Sequence, residues 1–275
     1  MNSVSKFYLQ TNIAVRFLVN CIRYSSIIVV LKLIRLVRRI KGQILVISLS
    51  ILLILCSTSF KTDNEIILSY TVNPQKLNVK LYWKNEKGQT LQTFSNLRKY
   101  AEVKGKKLLF AMNGGMYQTD FSPLGLYIEN GVKLKGLNTR SGKGNFYLKP
   151  NGVLYLNEDN NAFVCTTENF KNNGKVKYAT QSGPMLLVNG KIHSAFKKGS
   201  KNVNIRNGVG ILPDQTLLFA ISKKAVNFYD FAVYFKKMGC KNALYLDGYV
   251  SRVYLPEKKW IQLDGNFGVM IGVTK

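Results

Sequence analysis

From Ile66 to the carboxyl terminus the chain is a succession of short β-branched and aromatic runs: IILSYTV, LNVKLYW, KLLFAMN, LGLYIENGVKL, NFYLKPNGVLYL, QSGPMLLVNGKIH, VGILPDQTLLFAI, NALYLDG and VMIGVTK. Runs of this composition, broken at close intervals by Gly, Asn and Pro, suit strands and are too short for helices. Three breaks are Asn-Gly (Asn130-Gly131, Asn151-Gly152, Asn189-Gly190), which supplies the positive φ angles of a two-residue hairpin turn. Pro213-Asp214 marks a fourth turn. Strands joined by such turns run antiparallel, so the pattern predicts a mostly antiparallel or mixed sheet.

Two stretches carry helical spacing instead. Residues 94–104 (FSNLRKYAEVK) have a candidate cap at Ser95. Residues 227–238 start at a capping Asn227, place Asp230 in the first turn and Lys236 and Lys237 in the last, and stop at Gly239. Phe228, Phe231, Tyr234 or Phe235, and Met238 recur every three to four positions, which predicts one buried face. The expected fold class is α+β: a single domain over residues 61–275, with a few helices covering the sheet.

The rest of the chain differs in charge. It has 40 Lys and Arg against 14 Asp and Glu, a net charge of +26 over 275 residues. Nine of the basic residues, and no acid, precede Asp63, leaving a surplus of +17 on the remainder. Residues 44–56 (ILVISLSILLILC) are uncharged, follow Arg35, Arg38, Arg39 and Lys41, and lead into Ser57, Thr58 and Ser59. A basic flank, an apolar run and small residues make residues 44–60 an expected signal peptide. An uncleaved anchor is the second reading, although 13 residues span about 20 Å, short of a ~30 Å hydrocarbon core. Both readings place the domain in the periplasm or elsewhere outside the cytoplasm. Residues 1–43 are a basic, partly apolar extension, read as a mis-assigned start or a membrane-surface helix. Cys56 follows Leu55 where a lipobox carries a small residue. Cys165 and Cys240 lack zinc-ligand spacing and read as two small buried hydrophobes, with pairing as the alternative.

Four signatures combine Gly with a polar side chain at a strand end, where loops display functional groups. They are Asn113-Gly114-Gly115, Gln181-Ser182-Gly183-Pro184, Ile205-Arg206-Asn207-Gly208, and Asp247-Gly248 followed by Ser251 and Arg252. With SPLGLYIENG, GNFYLKPNGVLYL and NALYLDG in the same order, the stretch 107–275 resembles the phosphodiester glycosidase family. That resemblance implies a hydrolase cleaving the glycosidic bond of a sugar-1-phosphodiester in a surface polysaccharide or glycoconjugate. At one place the chain departs from the family, with Tyr249 and Val250 where glycines are common.

The chemistry such a substrate demands can be set out on its own. Breaking the sugar C1–O bond passes through an oxocarbenium-like state and calls for a carboxylate near C1. The leaving group is a phosphate monoester with a second pKa of about 6, so it needs a cation more than a strong general acid. Asp247 is the expected catalytic carboxylate, as nucleophile or as base for water. Arg206 is the expected cation, matching by resemblance the family's Arg before the third glycine-containing strand. Asn113, Ser182 and Ser251 are expected to bind substrate through hydrogen bonds. Gly114, Gly115, Gly183 and Gly248 are expected to let backbone N–H groups approach an anion. Glu129 and Asp120 are the weaker carboxylates, and His193, the sole histidine, is left outside the site.

No metal site and no cofactor are expected: one His excludes a His-rich site, while calcium on oxygen ligands stays open. The +17 surplus suits an anionic glycan or phosphosugar partner, and the amino-terminal segment a membrane. No helix-turn-helix, RNP or zinc-finger pattern supports a specific nucleic-acid partner. The alternative function is a non-catalytic anionic-glycan-binding or exopolysaccharide-assembly protein on the same fold, suggested by Tyr249 and Val250.

Overall fold

The computed structural model describes residues 66–247 and 250–275. The expectations for residues 1–43 and 44–60, and for Gly248 and Tyr249, lie outside the described residues. In chain order the strands are β1 (Ile67–Val72), β2 (Asn78–Tyr82), β3 (Leu108–Gly115), β4 (Tyr127–Glu129), β5 (Val132–Lys135), β6 (Gly152–Asn157), β7 (Ala162–Thr166) and β8 (Val176–Ser182). They continue as β9 (Met185–Val188), β10 (Lys191–Ile192), β11 (Asn207–Ile211), β12 (Leu217–Ser222), β13 (Ala243–Asp247), β14 (Val253–Leu255), β15 (Trp260–Ile261) and β16 (Val269–Thr274). Helix α1 (Phe94–Val103) lies between β2 and β3, and α2 (Phe228–Lys237) between β12 and β13.

The strands form three sheets, ordered β1-β12-β11-β13-β9-β10, β15-β14-β3-β16-β2 and β5-β4-β8-β6-β7. Every pairing between them is antiparallel, so the mixed element of the expectation is absent among the described residues. All three sheets face one core: Phe110 and Met112 from β3, Leu154 and Leu156 from β6, and Leu244 and Leu246 from β13 meet there. Helix α2 covers the other face of the six-stranded sheet with Phe231 and Phe235, and α1 covers β3 and β16 with Phe94 and Leu97. Strands β12, β13 and β16 are therefore buried on both faces, which explains why they read as continuous apolar runs rather than alternating ones. Burial of a Phe such as Phe231 or Phe235 is worth roughly 1.5–3 kcal/mol. No helix of the described residues is long and apolar enough to cross a membrane.

Local chemistry sets the element ends. Asn227 caps α2 by accepting from the Asp230 N–H and donating to its carboxylate, each at 2.8 Å. Met238, expected on the buried face, is the C-cap residue and is exposed. The cap of α1 is Thr93, not Ser95: Thr93 Oγ1 accepts from the Asn96 N–H at 3.1 Å. Asn130-Gly131 and Asn189-Gly190 have positive φ at both residues and turn β4 into β5 and β9 into β10. Asp214 Oδ1 accepts from Thr216 N and Oγ1 in the turn between β11 and β12.

Asn151-Gly152 does not turn. Gly152 is the first residue of β6, and a Cβ there would sit 2.2 Å from Met185 Sδ and 2.6 Å from the Cys165 carbonyl oxygen. The glycine is required by packing, not by φ. Gly152→Ala is accordingly expected to destabilise the domain by about 1–3 kcal/mol through overpacking. Urea unfolding checks this, and a midpoint equal to that of the parent chain would refute it. Cys165, half-buried on β7, and Cys240, buried after α2, are both free thiols. Burial pushes them up to about 11 and about 12.

Candidate functional site

The ends of β3, β11 and β13 meet where the six-stranded sheet abuts the sheet of β3 and β14. Their junction is one buried amide, Asn207. Its Nδ2 donates to Asn113 Oδ1 at 2.9 Å and to the Asn113 carbonyl at 3.1 Å, while its Oδ1 accepts from the Asp247 N–H at 3.0 Å. Ser251 Oγ donates to the Asp247 carbonyl at 3.1 Å, with the Ile205 carbonyl at 3.2 Å. The Arg252 N–H donates to Asn113 Oδ1 at 3.0 Å. Asn113, Asn207 and the Asp247–Ser251 segment are thus brought together from three distant parts of the chain. Asp247 retains 6% exposure as a residue where Asn113 and Asn207 have none, although its Oδ2 is itself buried.

Donor capacity separates the polar residues. Asn113 Nδ2 is buried with no acceptor, a donor that a ligand would satisfy. Ser182 ends β8 beside this cluster, but its hydroxyl donates to the Leu246 carbonyl at 2.6 Å. Its proton is spent on positioning β13, and only its lone pairs remain for a substrate. Two tyrosines sense the charge of Asp247. Burial first, and the Asp247 charge second, push Tyr117 up to about 12. Tyr245 is also pushed up to about 12, by burial most and by Asp247 in part, against the lowering effect of Arg206. Both phenols therefore stay protonated across the neutral range, and the Tyr117 hydroxyl donates to the Asn266 carbonyl.

Arg206 does not take the place expected of it. Successive side chains leave a strand on opposite faces, and where Asn207 joins Asn113, Arg206 turns toward α2. Its guanidinium lies 3.5 Å from the Phe228 ring centroid, and its Nε donates to the Val226 carbonyl at 2.8 Å. Nη2 donates to the carbonyl and Oδ1 of Asn202, and Nη1 to the Tyr245 hydroxyl at 3.3 Å. The residue is fully buried, and burial lowers its pKa despite the help of Tyr245. A cation so enclosed cannot receive a phosphate directly; it braces Tyr245, two residues before Asp247.

The glycines are also explained by protein packing. A Cβ on Gly114 would lie 2.8 Å from Ile271 Cγ1, on Gly115 2.6 Å from Thr180 Oγ1, and on Gly183 2.6 Å from Asn151 Cβ. These positions let sheets approach one another, and the space beside them is filled. Glu129 is remote: it follows the Tyr127–Thr180 and Ile128–Ala179 pairs along β8. That register sets it about four residues from Ser182, or about 13 Å at ~3.3 Å per residue. Asp120 is exposed and accepts from the Ser122 N–H in its own loop. His193 is structural: it is buried, its Nδ1 accepts from the Ala195 N–H, its Nε2 pairs with the Lys149 carbonyl, and burial lowers its pKa. Among the described residues no three His, Cys, Asp or Glu side chains gather closely enough to hold a metal ion.

Sequence reasoning passed over Asn207, which lies inside a signature it singled out, and Tyr117, which lies two residues beyond another. The signal for Asn207 was strand alternation: Arg206 and Asn207 cannot both face the Asn113 end, and an amide that both donates and accepts suits a junction better than a guanidinium.

The fold and the sequence have relatives. Residues 106–266 match the family model described as phosphodiester glycosidase. The uncharacterized protein YigE of Escherichia coli K12 is 42% identical over 190 residues, covering 69% of this chain and 74% of that protein. The zebrafish N-acetylglucosamine-1-phosphodiester alpha-N-acetylglucosaminidase catalytic domain, solved auto-inhibited by pro-peptide, superposes with a TM-score of 0.52 at 15% identity. That match covers 77% of this chain and 84% of the zebrafish chain, and at this identity it speaks for the fold alone. On the family match over more than half its length and the close bacterial relative, the chain belongs to the phosphodiester glycosidase family.

Proposed function

We propose that the chain is an exported hydrolase that cleaves the glycosidic bond of a sugar-1-phosphodiester in a surface glycan. The observation that carries the reading is the convergence of Asp247, Asn113 and Ser251 on Asn207 within the family-matched region. Asp247 supplies the charge that an oxocarbenium-like centre at C1 needs, as nucleophile or as base for water. The unsatisfied Nδ2 of Asn113 donates to a substrate oxygen. Glu129 and Asp120 stand elsewhere, which suits a phosphate leaving group that departs without strong acid assistance. Arg252, partly exposed, next to Ser251 and tethered to Asp264, takes the place of Arg206 as the cation for the departing phosphate. Export rests on the basic-flanked apolar run of residues 44–56.

The test is incubation of the full chain with UDP-N-acetylglucosamine and with a simple alkyl glycosyl-1-phosphate diester, following free sugar together with UDP from the first and the alkyl phosphate monoester from the second. Release of both products is expected. Saturable binding of anionic glycans without turnover on either substrate would instead favour a non-catalytic glycan-binding protein.

A further inference from the structure

A second polar pocket lies away from Asp247, between β2, the end of α1 and the turn that joins β4 to β5. Its volume is about 170 Å³, and Lys80, Tyr100, Lys106, Glu129, Asn130 and Tyr178 line it. At about 30 Å³ per water this is the space of roughly five to six waters, enough for one hexose ring and little more. Its groups sort by origin. Lys80 comes from β2 and Lys106 from just beyond α1, while Glu129 and Asn130 come from the β4–β5 turn. Lys104, also at the pocket, is already committed to an ion pair with Glu86, which accepts from the Tyr100 hydroxyl as well at 2.7 Å. Lys80 and Lys106 have no such carboxylate among the ion pairs of the described residues.

Two features of this arrangement select a ligand. Lys80 has more cations than anions about it: after burial, the charges of Lys106, Lys177 and Lys104 lower its pKa, and Glu129 across the pocket offsets them in part. An anion placed there would relieve that repulsion. Glu129 is a carboxylate held by the Tyr127 hydroxyl at 2.8 Å, and Asn130 Oδ1 accepts from the Tyr178 hydroxyl at 2.6 Å. Acceptors on that side repel a bare anion and reward hydroxyl donors. A ligand fitting both sides must carry a negative charge at one end and hydroxyl groups at the other.

We infer that this pocket binds an acidic sugar, a single pyranose unit bearing a carboxylate or a phosphate. The inference does not depend on catalysis at Asp247, which lies beyond the far end of β8 from Glu129. It gives the domain a second hold on an anionic polymer.

Calorimetric titration of the full chain carrying Asp247→Asn, so that turnover contributes nothing, tests it with four probes: glucuronate, glucose 6-phosphate, inorganic phosphate and glucose. Glucuronate and glucose 6-phosphate should bind at least tenfold more tightly than phosphate or glucose. Adding Lys80→Met should weaken both acidic sugars at least tenfold, with the melting curve confirming a folded protein. Adding Glu129→Gln should tighten inorganic phosphate and weaken the sugars, a reversal that simple loss of structure cannot produce. Equal affinity for phosphate and glucose 6-phosphate, or acidic-sugar binding untouched by Lys80→Met, would overturn the inference and leave the reading of Asp247 standing.

Discussion

Replacing Asp247 by Asn is expected to slow release of sugar from a glycosyl-1-phosphodiester by on the order of 10²–10⁴-fold, the range a positioned acid–base group contributes. The variant should stay folded, because two of the contacts that hold Asp247 in the cluster are made by its backbone. Its N–H donates to Asn207 and its carbonyl accepts from Ser251, and neither contact changes when the carboxylate becomes an amide. The side chain keeps its shape and loses its charge, so the rate reports on charge near C1. Single-turnover rates with a thermal melt on the same samples make the measurement. A rate within threefold of the parent would remove Asp247 from the mechanism.

Arg206 should behave in the opposite way. Arg206→Ala strips hydrogen bonds from the Val226 carbonyl, Asn202 and Tyr245, and removes a cation stacked on Phe228. Each buried acceptor left without a donor costs about 1–3 kcal/mol, so a total near 3 kcal/mol is expected. For a domain of this size that lowers Tm by roughly 6–12 °C, at about 2–4 °C per kcal/mol. Arg206→Lys should rescue little, since an ammonium neither stacks flat on a ring nor serves separated acceptors with a fixed fork. The surviving folded protein should keep most of its kcat at low temperature. An unchanged Tm with turnover abolished would mean that the guanidinium meets substrate directly.

These two residues show how far the sequence could be read. Both sit in signatures visible in the chain, and Asp247 joins Asn207 and Ser251 in one cluster. Arg206 could not be told from its neighbour without knowing which face of β11 met the second sheet, a fact of register set by residues far away. The same limit divides the Asn-Gly pairs. Asn130-Gly131 turns a hairpin with open space beside the glycine, whereas Gly152 is claimed by Met185 and Cys165 across the core. Local composition sufficed for most of the strands, though not for β7, β14, β15 or most of β8, and for α2, whose cap, dipole charges and stop agree while Met238 does not. It misplaced the α1 cap by two residues, since Thr93 and Ser95 are equivalent until the helix axis is fixed.

The Asn207 amide also orders events in time. It ties positions 94 residues away on one side and 40 on the other, so its bonds close only after long loops have been drawn shut. A chain with either sheet formed alone holds Asp247 and Asn113 apart. The junction is therefore complete only once the two sheets have docked, and any property that needs both residues together is a property of the whole domain and of neither sheet by itself.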